Sequence, residues 1–357
     1  MDFLIAKDDL RSTRLADRRA ARPQDGEALL SVERFGLTSN NITYAKFGEA
    51  MNYWDFFPAA EGWGRMPVWG FAQVSDSRVP ALAEGARFFG YLPPSSTMLV
   101  RPVGVGERGF VDASPHRAAL PAAYNSYAAI AADPVYDAAH EDRQMLLRPL
   151  FFTSWLLEDF LTEADMFGAA VVVISSASSR TASALAYLLS QRGQAEVVGL
   201  TSARAQQFTE ELGVYGAVLG YEQLDQLPDG AALYVDISGD AEVRAAVHRR
   251  YAAKLLHSAV VGATHHDRMG EVPAELPGAR PTFFFAPDRV AKRSSDWGRE
   301  GLERRLAEAW HPYVRWTEDW LRVIAERGGE ALQTVYLELL EGAIDPSRAH
   351  VLTPAEP

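Results

Sequence analysis

Residues 169–193, "AAVVVISSASSRTASALAYLLSQRG", decide the fold. Val171 to Ile174 is an apolar run of strand length, and a small polar bend follows it. Leu185, Leu188 and Leu189 then share one face of a helix over 181–192, with Gly193 placed as its left-handed terminator. A strand, a tight bend and a helix in this order open a dinucleotide-binding fold, in which bend amides and the helix N-terminus face a pyrophosphate. Glycine normally lets backbone and phosphate approach there, yet "SSASSRTA" (175–182) contains none. Two readings stay open: a phosphate-binding bend written in serine, and an ordinary capping turn.

Outward from this stretch the alternation repeats. Strands are expected at 196–200, 217–219, in "AALYVDISG" (231–239), "LLHSAVVGAT" (255–264) and "PTFFFAP" (281–287), with helices at 203–212 and near 241–250. Strands apolar throughout and alternating with helices predict a doubly wound parallel sheet covered on both faces, an α/β fold. The second strand ends at Thr201 and Ser202 with Arg204 beyond and no acid, which suits a ribose 2'-phosphate and so NADP(H) over NAD. A surface arginine on a capped helix is the plainer alternative. A P-loop lacks both its glycines and its lysine here.

Before this region, residues 27–120 carry short apolar bursts between Gly and Pro, as in "PVWGFAQVSDS" and "GARFFGYLP", and read as a largely antiparallel β unit. "RPLFFTSWLLEDFLTEAD" (148–165) is apolar at helical spacing, and the tail from about 294 to 350 reads as helical. The expected division is 1–147 as a β-rich substrate domain, 148–290 as the Rossmann-type domain, and 291–357 as a helical segment returning to the first. At 357 residues, 48% hydrophobic, the chain can build two cores.

The totals exclude several classes. Lys and Arg number 35 against 47 acids, a net charge of -12, so nucleic acid is not an expected partner. The N-terminal Arg11, Arg14, Arg18, Arg19 and Arg22 alternate with Asp8, Asp9, Asp17 and Asp25 and read as a solvated face. No cysteine is present, which removes disulfides and thiolate-bound metals. Without a membrane-length apolar run or a leader-like N-terminus, the expectation is a cytoplasmic protein with no membrane partner.

The order of these pieces resembles the medium-chain dehydrogenase/reductase superfamily, in its zinc-free quinone-reductase-like or enoyl-reductase-like branch. "GEALLSVERFGLTSNNITYAKFG" (26–48) is similar to the family's opening β unit and active-site loop, and "VWGFAQVSDSRVPALAEGARFFGYLPPSSTMLV" (68–100) to the stretch after it. "LFFTSWLLEDF" (150–160) resembles its interdomain helix, and residues 171–224 its nucleotide-binding half. The resemblance implies a GroES-like substrate domain beside the Rossmann-type one. Zinc-dependent members carry a cysteine and a Gly-His-Glu where this chain has Phe35 and Val68, Trp69 and Gly70, so no metal ligand set is expected.

Hydride transfer needs orientation and a group that protonates the developing anion. In similar reductases a tyrosine near the active-site loop serves, which points to Tyr44, with Asn40 and Asn41 as hydrogen-bond partners for substrate or nicotinamide ribose and Lys46 as a residue that lowers the tyrosine pKa if it lies close. Tyr124 is the reserve donor, and Tyr53 a third choice. A strand-edge tyrosine packing through its ring is the plain alternative for Tyr44. Tyr53, Trp54, Phe56 and Phe57 read as pocket wall or core, with His116, Asn125 and Tyr127 near Tyr124. The expected cofactor contacts are Ser176, Ala177, Ser178, Ser179, Arg180, Thr181, Thr201, Ser202, Arg204, Tyr221, Gly262, Ala263 and Thr153, with Ser154 beside it. His265, His266 and Asp267 read as a solvent loop rather than a metal or proton site, and no nucleophile elbow exists.

These readings define an NADP(H)-dependent, metal-independent reductase of a carbonyl or conjugated double bond in a small-molecule substrate. The alternative is a catalytically silent relative that binds a nucleotide or a protein. In similar proteins a strand placed like "PTFFFAP" joins two subunits, so a homodimer through that edge stands beside burial of the strand under the C-terminal helices.

Overall fold

The computed structural model describes residues 1–17, 21–261 and 276–354, and Gly262, Ala263, His265, His266 and Asp267 lie outside them. Two compact units divide the chain, Met1–Leu146 with Leu321–Pro357 and Leu147–Trp320.

The first unit runs β1 (Asp2–Ala6), β2 (Thr13–Ala16), β3 (Ala28–Leu37), α1 (Ser39–Lys46), β4 (Trp63–Gly64), β5 (Val68–Ser77), β6 (Arg87–Leu92), β7 (Thr97–Val100), β8 (Pro102–Gly106), β9 (Gly109–Asp112) and β10 (Ser126–Ala129). Helix α2 (Glu141–Glu163) then carries the boundary between the units. The second unit continues with β11 (Val171–Ser175), α3 (Arg180–Arg192), β12 (Glu196–Thr201), α4 (Gln206–Glu211), β13 (Ala217–Gly220), β14 (Ala232–Asp236), α5 (Ala241–Tyr251), β15 (Leu255–Val260), β16 (Pro281–Phe283) and α6 (Ala286–Thr317). The chain closes with β17 (Arg322–Arg327), α7 (Gly329–Leu340) and β18 (Arg348–Thr353), back in the first unit.

In the first unit the large sheet has the order β17-β18-β3-β5-β6-β10-β9-β8, with β7 also on β3. Only β17 and β18 pair in parallel within it. Trp69 on β5 stands directly opposite Tyr91 on β6, so both rings project from one face. Residues 39–46 were expected to be loop or strand and are helical instead. The physical reason is a cap: Thr38 is the N-cap, and its backbone N–H donates to the side-chain oxygen of Asn41 at 2.8 Å.

The second unit holds a six-stranded, wholly parallel sheet in the order β13-β12-β11-β14-β15-β16. Numbered within the unit this is 3-2-1-4-5-6, the doubly wound order whose reversal between β11 and β14 creates a crevice beyond their carboxyl ends. Val172, Val173 and Ile174 are fully buried, and each contributes about 1.5–3 kcal/mol of burial. Ser179 caps α3 through Ala182 N–H at 3.2 Å, and Gly193 ends it in the left-handed conformation at φ 64°.

Two expectations for the tail are corrected. The segment 322–327, read as part of a helix, is the strand β17, because Arg322 to Arg327 find a parallel partner in Arg348 to Thr353. Residues through Trp320 belong to the second unit, where α6 lays Trp310, Tyr313 and Trp316 against Phe151 and Tyr187. On and beside β16, Phe283 and Phe285 are exposed, whereas Phe284 packs 5.8 Å from Phe160.

Candidate functional site

The bend after β11 is built from a strained start. Ser176 sits at φ 52°, a left-handed conformation that costs a residue with a side chain about 1–2 kcal/mol. Its N–H donates to the Tyr221 hydroxyl at 3.0 Å. Ala177 N–H donates to Leu200 O at 2.9 Å, Ala177 O accepts from the Tyr215 hydroxyl at 2.8 Å, and Ser179 N–H returns to Ser176 O at 2.8 Å. Glycine's space-saving is supplied from the next strand: a Cβ on Gly199 would lie 2.8 Å from the Ala177 Cβ and 3.0 Å from the Tyr215 ring. The bend can press onto β12 only because residue 199 has no side chain.

A buried polar network anchors this geometry. The Ser175 hydroxyl donates to Asp236 at 3.1 Å and accepts the N–H groups of Ile237 and Ser238, each at 3.0 Å. Asp236 also accepts from the Ser238 hydroxyl and Gly239 N–H, both at 2.9 Å, and from Arg244 Nε at 2.7 Å. Asp240 caps α5 by accepting from Glu242 and Val243 N–H. The carboxyl ends of β11 and β14, the strands flanking the crevice, are thus tied together by side chains.

The other expected cofactor residues fall into four groups. Ser178, Arg180 and Thr181 are half-buried at the start of α3, where the Ser178 oxygen accepts from the buried Thr201 hydroxyl at 3.3 Å. Burial lowers the Arg180 guanidinium to about 10, with Tyr313 acting in the opposite sense. Ser202 and Arg204 are exposed beyond β12, and no acid ends that strand. Thr153 and Ser154 are on α2, turned to Pro149 O at 3.3 Å and to Thr181 O at 2.8 Å respectively. Tyr221 holds a phenol raised by burial, with Asp236 and Asp240 adding to the rise after the Ser176 contact lowers it.

A pyridine dinucleotide fits part of this surface. Ser178 and Thr181 offer hydroxyls at the N-terminus of α3, and Ser202 and Arg204 offer a hydroxyl and a cation beyond β12. The Ser176 amide is open to phosphate only when the Tyr221 hydroxyl moves off it. Ala177 serves packing, and Ser179 serves the cap.

The first unit contains a cluster of phenols around α1, β5 and β6. Tyr44, on α1, is buried, and its oxygen accepts from the Trp69 indole N–H at 3.2 Å. The Tyr91 ring lies 5.5 Å from the Tyr44 ring between centroids, edge-on. Tyr53 lies 4.7 Å from Tyr44 between ring centroids, and Tyr124 lies 4.7 Å from Tyr91. Burial drives the phenols of Tyr44, Tyr53, Tyr91 and Tyr124 above their ordinary range, and Trp69, Asn40 and Tyr91 pull Tyr44 part of the way back. Trp69 and Tyr124 are the half-exposed rim, their rings 6.0 Å apart.

Asn41, expected to hydrogen-bond substrate or nicotinamide ribose, is instead engaged internally: its oxygen accepts from Thr38 N–H at 2.8 Å and its amide nitrogen donates to Pro67 O at 2.9 Å. Its amide is a structural cap. Tyr127 and Asn125 are also engaged internally, Tyr127 with the buried Arg117 at 2.9 Å and with Tyr91 O at 2.6 Å. Trp54, Phe56 and Phe57 belong to the core. Sequence reasoning missed Trp69 as a hydrogen-bond donor, because the register of β5 on β6, and no local pattern, sets it opposite Tyr91. Among the described residues, no group of three His, Cys, Asp or Glu side chains is arranged to hold a metal ion.

The β-rich first unit and the 3-2-1-4-5-6 sheet define a class: the GroES-like and Rossmann-type parts of a medium-chain dehydrogenase/reductase fold. Residues 35–345 match the family described as a protein of unknown function, DUF2855, and the chain belongs to that family. No curated protein matches it. Solved structures with this fold include CurA from Vibrio vulnificus in complex with NADPH, 14% identical at a TM-score of 0.61, covering 97% of this chain and 95% of that one. The yhdH oxidoreductase from Salmonella enterica in complex with NADP is 15% identical at a TM-score of 0.55, covering 96% and 95%. The quinone oxidoreductase from Coxiella burnetii is 13% identical at a TM-score of 0.55, covering 99% and 98%.

Proposed function

We propose that the chain is an NADP(H)-dependent reductase that acts without a metal ion on a carbonyl or conjugated carbon–carbon double bond of a small or medium apolar substrate. The observation that carries this reading is Tyr44, a buried phenol whose oxygen is gripped by Trp69 at 3.2 Å within an aromatic cluster. A reduced nicotinamide, when bound, supplies the hydride. The phenol raised by burial stays protonated across the working pH range, so Tyr44 is a proton donor rather than a base. Its proton passes from the hydroxyl oxygen to the anion formed on the substrate. Trp69 and Tyr124 supply flat apolar rim surface for a conjugated substrate. Ser178, Thr181, Ser202 and Arg204 would hold the cofactor, with Arg204 favouring a 2'-phosphate. The NADPH-bound CurA and NADP-bound yhdH structures support the cofactor assignment.

The test is NADPH titration followed by fluorescence and thermal stability, then turnover against quinones, enals and ketones. Tyr44→Phe is expected to keep NADPH binding and to lose about 10²–10⁴-fold in kcat, the range of a positioned general acid. No stabilisation by NADPH at millimolar concentration would overturn the reading.

A catalytically silent relative is the second reading, and the internal capture of the Ser176, Ala177 and Ser179 amides favours it. NADPH binding with no oxidation across the whole panel would decide for it.

A further inference from the structure

We infer that Trp69 is a positioning residue for Tyr44: its indole N–H fixes the direction of the phenol hydrogen and holds the oxygen once the proton has left. The inference rests on the reading of Tyr44 as the proton donor. An indole nitrogen only donates, whereas a serine, tyrosine or histidine in its place could either give or take a hydrogen. The 3.2 Å contact therefore has one possible polarity, Trp69 to Tyr44. A phenol oxygen that accepts from the indole must send its own hydrogen elsewhere.

The geometry suits a change of charge at one atom. While Tyr44 is neutral, a lone pair faces the Trp69 N–H and its O–H bond is directed away from the indole. When that bond breaks, the hydrogen goes to the substrate anion generated by hydride from a reduced nicotinamide, and the electron pair stays on the Tyr44 oxygen. The Trp69 N–H is already aimed at that oxygen. Donors oriented before the charge develops need no rearrangement when it does.

The surrounding packing holds the indole in place. Trp69 is stacked on Phe89 with centroids 5.7 Å apart and planes 17° apart, and lies 5.0 Å from Tyr91. Its backbone is fixed on both sides, opposite Gly36 on β3 and Tyr91 on β6. The half-exposed ring edge is open to solvent, but its N–H faces a buried phenol, an arrangement that packing alone does not require.

The test uses the full-length protein with a fluorinated tyrosine of lowered phenol pKa at position 44, read by ¹⁹F chemical shift against pH. Trp69→Phe keeps an aromatic ring on β5 and removes the N–H; Trp69→Leu removes the N–H with a smaller apolar side chain. Each variant is expected to raise the phenol pKa by about one unit, the size of one lost hydrogen bond to a charged acceptor. In the unlabelled enzyme, kcat should fall about tenfold or more with KM little changed. An unchanged titration in Trp69→Phe, or in Trp69→Leu should the phenylalanine variant not fold, would overturn the inference. This readout needs no turnover, so an inactive protein with shifted titrations would refute the proposed activity while sustaining the role of Trp69.

Discussion

Removing Arg244 tests whether the two central strand ends are tied by a buried charge. Asp236 is fully buried and Arg244 is 5% exposed, with Nε 2.7 Å from the carboxylate. Arg244→Met keeps most of the aliphatic volume and leaves the carboxylate with Ser175, Ser238 and Gly239 as its named donors. Breaking one side of a buried ion pair costs about 3–5 kcal/mol, because the remaining charge stays out of water. For a cooperative unit the size of Leu147–Trp320, about 2–4 °C of melting temperature accompanies each kcal/mol, giving a fall of roughly 6–20 °C. Arg299→Met is the control: its pair with Glu303 is on the surface of α6, with the arginine side chain 70% exposed, and its loss should cost below about 0.5 kcal/mol. Calorimetry or circular dichroism with temperature measures both. Equal midpoints for the two variants would refute the claim that the Asp236 network anchors the bend.

Gly199→Ala places a methyl group 2.8 Å from the Ala177 Cβ, and such overpacking should cost about 1–3 kcal/mol and weaken NADPH binding together. A variant with wild-type urea midpoint and affinity would show that the bend does not depend on this approach. His248 is buried, 2.9 Å from the Ser258 hydroxyl and 3.0 Å from Pro277 O, and burial lowers its pKa below 6.5. Its unfolded form therefore takes up a proton first: this contribution to stability is present above pH 6.5 and is lost as pH falls from there through the lowered folded value. His257, stacked 4.0 Å from Phe167, and His116 are lowered in the same sense. Melting temperature should fall between pH 7 and 5, and His248→Asn should flatten that fall. A slope unchanged by the substitution would remove His248 from the account.

The parallel sheet was legible because its strands are apolar end to end and its helices repeat leucine at helical spacing, so local pattern and tertiary environment agree. The order of those strands is not in the alternation, which a 2-1-3-4-5 sheet shares. α1 was not legible, because its decisive signal is the Thr38–Asn41 cap, and Asn41 reads equally well as a polar ligand until its partners are known. β17 was hidden for another reason: "RVIAER" suits helix or strand, and only the distant β18 settles it. At the candidate site, the setting of Tyr44 was not legible. The hydrogen bond that defines it comes from Trp69, 25 positions away, through a strand register that no local pattern encodes. Ser176 shows the same limit, since the group on its amide, Tyr221, lies 45 residues further along.

The central claim is that a glycine-free bend can receive a pyridine dinucleotide. Amide hydrogen exchange across residues 175–182, with and without saturating NADPH, tests it most directly. The account predicts slower exchange at Ser178 to Ala182 on binding, accompanied by a change at Ser176 as Tyr221 yields its amide. Exchange through this segment that is identical with and without bound NADPH would contradict it.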